Sequence, residues 1–218
     1  MTVPAGNGRP PSSRSDSGRS SYLRSDRDLA PRAVVEERTF RTASETAAEL
    51  LRGVDARLRH SAAVAAQIDH VADLVEADWR SSVRDAAWLH DVGYSPQLVR
   101  TGFHPLDGAR WLRDHCWNPD TCRLVAWHTG AIEEARLHGL AAELMAEFDP
   151  PPRLPAAALA WADLTSSPTG ERWDPDRRLA EILDRYPPSS IVHQAICSSR
   201  PALRAAVREI ESRLGAPQ

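Results

Sequence analysis

The amino-acid sequence predicts an all-α fold, a helical bundle that follows a disordered N-terminal tail. From about residue 42 onward, apolar residues recur three and four positions apart, which is typical of amphipathic helices. No segment shows the regular alternation of apolar and polar residues expected of a half-buried strand. The chain has 218 residues, 42% of them hydrophobic, which is enough for one sizeable core. We therefore expect a single helical domain over residues 40–215.

Residues 1–32 are predicted to form the disordered tail. Residues 1–28 contain seven Ser, five Arg, three Gly and three Pro, with few apolar side chains. Such a segment cannot bury enough apolar surface to offset the entropy lost on ordering. No hydrophobic stretch follows the N-terminus, so a secretory signal is not expected.

The first helices of the domain are indicated by a start signal and by their apolar faces. Thr42-Ala43-Ser44-Glu45 has the form of a capping box, which predicts a helix that ends before Gly53. The apolar face of a second helix consists of Val64, Ile68, Val71 and Val75. The segment 83–92 is predicted to be a short helix with Gly93 as its C-cap.

The later helices are predicted from prolines and from apolar stripes. Pro105 and Pro119 each stand where a first helical turn would begin, a position that proline favours. Two stripes predict C-terminal helices within residues 175–215: Leu179, Ile182, Leu183 and Tyr186, then Leu203, Val207, Ile210 and Leu214. These helices are expected to cap the same core.

The composition argues against several classes of function. The formal net charge is -3 and no basic block is present, so nucleic-acid binding is not expected. All 27 basic residues are arginine, and the absence of lysine excludes Schiff-base chemistry, a P-loop and a Ser-Lys dyad. No apolar run approaches the roughly 20 residues of a membrane span. Three cysteines without C-x-x-C spacing favour a reducing cytoplasm over a disulfide scaffold.

Several polar residues occupy inward-facing positions on different predicted helices: His60, His90, Asp91 and Asp163. His60 lies four residues before Val64 and so shares its apolar face. His90 continues an apolar stripe of the next helix, and Asp91 follows it in the last turn. Asp163 stands in an Ala-rich helical stretch, where a carboxylate without a partner would be very costly. A shared metal ion would satisfy such residues together.

The order of the histidines and aspartates resembles that of the HD-domain superfamily of metal-dependent phosphohydrolases. The resemblance covers about residues 58–165 and rests on five ordered stretches: Arg59-His60-Ser61, Leu89-His90-Asp91-Val92-Gly93, Gly102-Phe103-His104-Pro105-Leu106-Asp107-Gly108-Ala109, Trp127-His128-Thr129 and Ala162-Asp163. It implies an HD-domain bundle over residues 40–215. The metal-site core would occupy residues 58–165 and the C-terminal helices residues 175–215.

The resemblance implies a set of metal ligands. The ion that active members of the family share would be held by His60, His90, Asp91 and Asp163. His104 and His128 match the additional histidines of the two-metal branch, in which Asp91 would bridge both ions. Imidazole and carboxylate ligands suit Mn, Fe, Co, Ni or Zn, and one or two ions per chain are compatible with the set. Such ions activate water and neutralise a phosphoester, so no nucleophilic side chain is required.

One position departs from the pattern of many two-metal relatives, which have a lysine three residues after the HD aspartate. In this chain the position is Tyr94, so the phosphate would be contacted by the Tyr94 hydroxyl or by an arginine. The candidate arginines are Arg100, Arg110, Arg113 and Arg172.

Site residues beyond the ligands are expected in two groups. Arg110 and Arg113 lie three residues apart on one predicted helix, and we expect them to bind the substrate together with Thr129. Arg172 ends the loop that follows the Asp163 helix, and loops that leave a metal helix commonly line the site. Arg172, Asp91 and Tyr94 are therefore predicted to act in catalysis.

The leading hypothesis is a cytoplasmic metal-dependent phosphohydrolase that cleaves a phosphoester or phosphoanhydride bond of a small nucleotide-like substrate. One alternative is an HD-type mixed-valence diiron oxygenase, similar to myo-inositol oxygenase, which a tyrosine near the site and the missing lysine favour. Another is a non-catalytic regulatory HD module. The sequence predicts no particular oligomeric state.

Overall fold

The computed structural model describes residues 41–215, so the predicted tail at residues 1–32 lies outside the described part of the chain. Ten α-helices occur there: α1 (Ala43–Leu50), α2 (Asp55–Val71), α3 (Arg80–Leu89), α4 (His104–Asp114), α5 (Pro119–Trp127), α6 (Ala131–His138), α7 (Ala141–Glu147), α8 (Arg153–Leu164), α9 (Pro175–Arg185) and α10 (Ile191–Leu214). No strand forms within residues 41–215, where Ser166 and Arg172 make an isolated bridge. The predicted all-α class is confirmed.

Three of the predicted helix starts agree with the structure. Thr42 is the N-cap of α1 and forms the capping box with Glu45, whose side chain accepts a hydrogen bond from the Thr42 backbone N–H. Pro105 and Pro119 lie in the first turns of α4 and α5. A proline is tolerated there because the first N–H groups of a helix have no partner within it.

The prediction that Gly93 is a helix C-cap is wrong. Helix α3 ends at Leu89, and Gly93 lies in a 3-10 turn, Val92–Tyr94, without the left-handed backbone of a glycine cap. A Cβ atom at Gly93 would lie 1.9 Å from the carbonyl oxygen of His104. Glycine is needed because two backbone segments touch, and the contact joins the turn after Asp91 to the start of α4.

Helices α3 and α8 form the centre of the bundle. Residues 157–164 of α8 are all buried, as expected of a helix that is apolar on every side. Helix α3 packs against α2, α5 and α8 through its buried residues Val83, Ala86, Ala87 and Leu89. His90 at the end of α3 and Asp163 near the end of α8 are therefore both buried.

The C-terminal helices α9 and α10 pack on this core. Helix α10 contacts α6 and α8, and α9 contacts α8 and α10. The stripe on α10 buries Leu203, Val207 and Ile210, whereas Leu214 is 45% exposed because it is the last residue of the helix. On α9, Leu179 is fully buried.

No helix within residues 41–215 combines the length and the apolar character that crossing a membrane would require.

The loop that leads into α4 is held by a buried carboxylate that the sequence analysis does not single out. Asp107 accepts hydrogen bonds from the backbone N–H groups of Arg100 and Thr101, and from the Thr101 hydroxyl, at 2.9 to 3.1 Å. These bonds satisfy N–H groups that would otherwise lack a partner beside the core. They order the segment immediately before His104.

Candidate metal centre

Two groups of potential metal ligands meet inside the bundle and share one residue. The first group consists of His60, His90 and Asp91, and the second of Asp91, His104 and His128. In each group the candidate ligand atoms all lie within 4.8 Å of one another. All five residues are buried except His104, which is partly buried. The shared residue, Asp91, is the one that the resemblance expects to bridge two ions.

The predicted ligands come from separate parts of the bundle. His60 lies on α2, His90 and Asp91 directly follow α3, His104 begins α4, His128 directly follows α5, and Asp163 lies on α8. Because each element has its own packing against the core, the cluster is held from several sides.

Asp163 joins the cluster through His60. Its Oδ1 atom lies 2.9 Å from Nε2 of His60, and its Oδ2 atom accepts a hydrogen bond from the Thr129 hydroxyl. Nδ1 of His60 donates to the carbonyl oxygen of Ser167 at 3.1 Å. Since Nε2 also faces an acceptor, both ring nitrogens of His60 carry a proton in this arrangement.

The charges around His60 and Asp163 stabilise this pair. Burial alone would lower the pKa of His60, but the hydrogen bond to Asp163 and the charges of Asp163 and Asp91 outweigh it and raise that pKa. Burial alone would raise the pKa of Asp163, but His60 above all holds it far below its ordinary value. A metal ion that took Nε2 as a ligand would replace the shared proton.

His90 has one ring nitrogen held by a hydrogen bond and the other without a hydrogen-bond partner among the described residues. Nδ1 donates to the carbonyl oxygen of Ala87 at 3.0 Å, whereas Nε2 is buried without any hydrogen-bond partner among the described residues. Burial lowers the pKa of His90 to about 4, against the charges of Asp91 and Asp163. The ring is therefore neutral with an unused lone pair at Nε2. A hydrogen bond from one ring nitrogen to a backbone carbonyl is the usual arrangement of a metal-bound histidine.

His104 and His128 present a second pair of ring nitrogens. Their Nε2 atoms are 3.2 Å apart, and Nδ1 of His128 donates to the carbonyl oxygen of Val125 at 2.7 Å. Burial and the nearby His128 lower the pKa of His104 well below its ordinary value. Nε2 of His104 is also 3.6 Å from Asp91. Two imidazole nitrogens beside one carboxylate are suitable ligands for a divalent transition metal.

The turn after His128 has a strained backbone that brings the Thr129 side chain to Asp163. Thr129 has φ 36° and ψ 57°, a left-handed conformation that is costly for a β-branched residue. Gly130 follows with φ 80°, and a Cβ there would lie 2.7 Å from the Ser199 hydroxyl oxygen. This turn allows α6 to begin three residues after His128 while the Thr129 side chain reaches Asp163. Thr129 was predicted to bind substrate, and in the structure its hydroxyl is bonded to Asp163.

Arg57 is the arginine at the cluster, and the sequence analysis misses it. Its guanidinium donates to Oδ2 of Asp91 at 3.0 Å and lies 3.8 Å from the centre of the Tyr94 ring. The Tyr94 ring stacks on His104 with the ring centres 3.9 Å apart, so arginine, tyrosine and histidine form one stack. One signal was available, because Arg57 stands three residues before His60 and so lies one turn earlier on the same face of α2.

The pKa values in this stack favour charged arginine and neutral tyrosine. Asp91 and Tyr94 raise the pKa of Arg57 although burial opposes them. Burial raises the pKa of Tyr94, with Arg57 opposing. Burial would also raise the pKa of Asp91, but His90, Arg57 and neighbouring histidines hold it well below its ordinary value. The stack therefore presents a cation and a phenolic O–H beside the Asp91 carboxylate.

A second arginine, Arg178 on α9, acts on the cluster through its charge. Arg178 is 5% exposed, donates to Glu181 at 2.6 Å, and has an Nε atom without a partner among the described residues. Its charge adds to the effects of His60 and His90 in lowering the pKa of Asp163, and it opposes the rise in the pKa of His60. The two carboxylates of the cluster, Asp91 and Asp163, are thus balanced by two buried or partly buried arginines.

The arginines predicted from the sequence have other surroundings. Arg110 and Arg113 of α4 both bind Glu147 of α7, and Arg110 also binds Glu143. Among the described residues, neither makes a polar contact with the clustered histidines and aspartates. Arg172 is exposed. The structure therefore does not bring Arg110 and Arg113 into the cluster, because each finds a carboxylate on the neighbouring helix.

Metal affinity is expected to rise with pH through the pKa of His60. The proton on Nε2 competes with the metal, and because this pKa is raised the competition extends to higher pH than for an ordinary histidine. At pH values below this pKa, metal binding displaces one proton, so the affinity should fall about tenfold for each unit by which the pH is lowered. Competition between the protein and a chelator for Mn²⁺, measured over a pH series, tests this. An affinity that does not change with pH in this range would mean that His60 is not a ligand.

Comparison with family models, with curated proteins and with solved structures yields no match, so the function is argued from the chain's own residues.

Proposed function

We propose that this protein is a metal-dependent phosphohydrolase of the HD-domain kind that acts in the cytoplasm. It would cleave a phosphoester or phosphoanhydride bond of a small nucleotide-like substrate. The observation that carries the proposal is the pair of buried ligand groups that share Asp91. Two divalent ions held a few ångströms apart are a recurring device for phosphoryl transfer to water.

The residues present fit two ions of a borderline transition metal. The orphaned Nε2 of His90 and the facing Nε2 atoms of His104 and His128 are imidazole donors, and Asp91 offers a carboxylate oxygen to each group. Mn, Fe, Co, Ni and Zn all accept such ligands. When bound, the ions would lower the pKa of a water molecule and offset the charge of phosphoryl oxygens.

The chain's own residues have distinct tasks in this proposal. The carbonyl of Ser167 fixes the tautomer of His60 through Nδ1, and the carbonyl of Ala87 fixes that of His90. Thr129 holds Asp163 in place through its hydroxyl. Arg57 is held over the Tyr94 ring with only one of its N–H groups used by Asp91, so further donors are available to a phosphate oxygen. Arg57 would thus supply the cationic contact that the lysine-free sequence otherwise lacks.

The test of this proposal begins with metal content. Protein purified without chelator is expected to contain up to two transition-metal ions per chain by elemental analysis. The loaded protein, supplied with Mn²⁺ or Fe²⁺, is then screened against nucleoside phosphates, dinucleoside polyphosphates and simple aryl phosphates, with release of phosphate or nucleotide as the readout. Turnover that requires the metal supports the proposal. Stoichiometric metal without turnover of any phosphate compound would contradict it.

A second candidate is an HD-type diiron oxygenase, which the position of Tyr94 favours. Tyr94 stacks directly on His104, so a phenol lies against a candidate iron ligand. An oxygenase should consume O₂ and show a mixed-valence iron signal in electron paramagnetic resonance. A hydrolase should instead work anaerobically with Mn²⁺, so one anaerobic assay separates the two candidates.

A further inference from the structure

The four candidate histidine ligands differ in how their rings are held. Three of them donate from Nδ1 to a backbone carbonyl oxygen at 2.7 to 3.1 Å: His60 to Ser167, His90 to Ala87 and His128 to Val125. A hydrogen bond of this kind fixes the orientation and the tautomer of a metal-bound imidazole. The side chain of His104 has no such carbonyl partner within residues 41–215, where its one hydrogen bond joins Nε2 to His128.

A flat aromatic ring covers the imidazole of His104 instead. Tyr94 stacks on it with 3.9 Å between the ring centres and 18° between the ring planes. The torsion about the Cβ–Cγ bond of a histidine is broad, so an imidazole without a hydrogen bond at Nδ1 has little else to fix its plane. A nearly parallel ring in contact with one face prevents the imidazole from turning about that bond. The Tyr94 ring therefore does for His104 what a backbone carbonyl does for the other three histidines.

Tyr94 is itself held by Arg57, which also binds Asp91. The guanidinium carbon of Arg57 lies 3.8 Å from the centre of the Tyr94 ring, and its Nη1 donates to Oδ2 of Asp91 at 3.0 Å. The other carboxylate oxygen, Oδ1 of Asp91, lies 3.6 Å from Nε2 of His104. These contacts form a closed circuit that begins and ends at Asp91 and passes through Tyr94. The circuit holds His104 at a fixed distance from the carboxylate of its own ligand group.

The backbone places Tyr94 against His104. The N–H of Tyr94 donates to the carbonyl oxygen of Asp91 at 3.0 Å, in the 3-10 turn that directly follows that residue. Gly93 lies so close to His104 that a Cβ atom on it would be 1.9 Å from the His104 carbonyl oxygen. Because these two backbone segments touch, a side chain at position 94 starts beside the first residue of α4.

We propose that Tyr94 is a positioning residue, whose ring holds the imidazole of His104 in place for the metal ion of the second ligand group. This inference rests on the metal centre of the proposed function and not on its reaction. The Tyr94 hydroxyl has no hydrogen-bond partner in the described part of the chain, so the contacts that hold this side chain are those of its ring. Removal of the ring should therefore disturb the second ligand group, whereas removal of the hydroxyl should not.

The first measurement isolates the second ligand group. His90→Ala removes a ligand of the first group, so the ion that this variant binds reports on the second. In that background Tyr94→Leu is expected to lower the affinity for Mn²⁺, measured by calorimetry, by about 10- to 100-fold, the usual cost of removing the support of a ligand. Tyr94→Phe keeps the ring without the hydroxyl and should change the affinity only a few-fold.

Two controls separate the positioning of His104 from a general loss of stability. In the His128→Ala background the bound ion reports on the first ligand group, and Tyr94→Leu should change its affinity only a few-fold. Trp111 of α4 also stacks on a histidine, His115, with 3.8 Å between the ring centres. Trp111→Leu removes a comparable stack at the other end of the same helix and should leave the affinity of the second group unchanged.

The absorption spectrum of bound Co²⁺ provides a readout of ligand geometry. The visible bands of this ion depend on the number and arrangement of its ligands. In the His90→Ala background they should be preserved by Tyr94→Phe and altered by Tyr94→Leu. Circular dichroism in the presence of chelator shows whether each variant is folded. Tyr94→Met, which also lacks a flat ring, replaces Tyr94→Leu where the latter does not fold.

Several results would overturn the proposal. These are an unchanged Mn²⁺ affinity in Tyr94→Leu, an equal loss in Tyr94→Phe, an equal loss in both backgrounds, or a comparable loss in Trp111→Leu. Absence of Mn²⁺ binding by the wild type would overturn the metal centre and this proposal together. None of these measurements uses turnover, so a wild type that binds metal and hydrolyses no phosphate compound counts against the hydrolase function alone.

Discussion

Asp91→Ala protein is expected to bind neither metal ion and to have lost more than about 100-fold in metal affinity at both positions. Asp91 is the residue that belongs to both ligand groups, and it is buried. Changes that only disturb the support of a ligand cost 10- to 100-fold in affinity, so removal of a shared ligand should exceed that range. Hydrolytic activity should vanish with the metal. Elemental analysis and calorimetry with Mn²⁺ measure the effect.

Variants that remove a ligand from only one of the two groups provide the comparison for this result. His90→Ala removes a ligand from the first group only, and His128→Ala from the second only, so each should retain one ion. Asp114→Ala, an exposed carboxylate on α4, should retain both. Circular dichroism in the presence of chelator shows whether each metal-free variant is folded. Full metal content in folded Asp91→Ala protein would contradict the assignment of the centre.

Gly93→Ala protein is expected to be strongly destabilised. The added Cβ would lie 1.9 Å from the carbonyl oxygen of His104 and 2.9 Å from the backbone nitrogen of Gly108. Backbone atoms cannot rotate away, so the cost should reach about 3 kcal/mol, the upper part of the range for overpacked sites. For a domain of this size that corresponds to a melting temperature lower by about 6 to 12 °C. Thermal unfolding followed by circular dichroism measures it.

The Gly93→Ala change should also weaken metal binding by the second ligand group. If the start of α4 moves to relieve the clash, His104 moves relative to Asp91, and Mn²⁺ affinity should fall more than in a variant destabilised elsewhere. Gly215→Ala is the matched control, because its Cβ would meet the Glu211 carbonyl oxygen at an ordinary 3.5 Å. Its stability should change by less than about 0.5 kcal/mol. Equal melting temperatures for the two variants would show that the turn after Asp91 adapts freely.

The balance of charge at the centre follows from a chain that contains no lysine. Arg57 helps to lower the pKa of Asp91, and Arg178 helps to lower the pKa of Asp163. A guanidinium remains charged at every accessible pH, so the positive charge in this balance does not change with pH. Binding of divalent ions would leave the site strongly positive, a field that favours a phosphate dianion.

The fold class and the order of the candidate ligands could be predicted from the sequence. Helical periodicity, the capping box at Thr42 and the first-turn prolines are local signals, and local signals are readable from the residues that make them. The predicted ligands could be chosen because imidazole and carboxylate on apolar helix faces require partners. The sequence predicts that Arg110 and Arg113 bind the substrate, because they lie three residues apart on one helix. Their partner, Glu147, lies on another helix, at 34 or more positions along the chain.

Which of these residues contact one another depends on the packing of the helices. His60 and Asp163 are 103 positions apart, and Arg57 and Asp91 are 34 apart. Such contacts depend on how α2, α3 and α8 pack against one another. This packing depends on how the shapes of side chains on different helices fit together, and no periodic pattern in the sequence reports that fit. Local patterns in the sequence predict an all-α chain with histidines and aspartates facing inward. The packing decided that Asp91 belongs to two candidate ligand groups and that Arg57 lies over Tyr94.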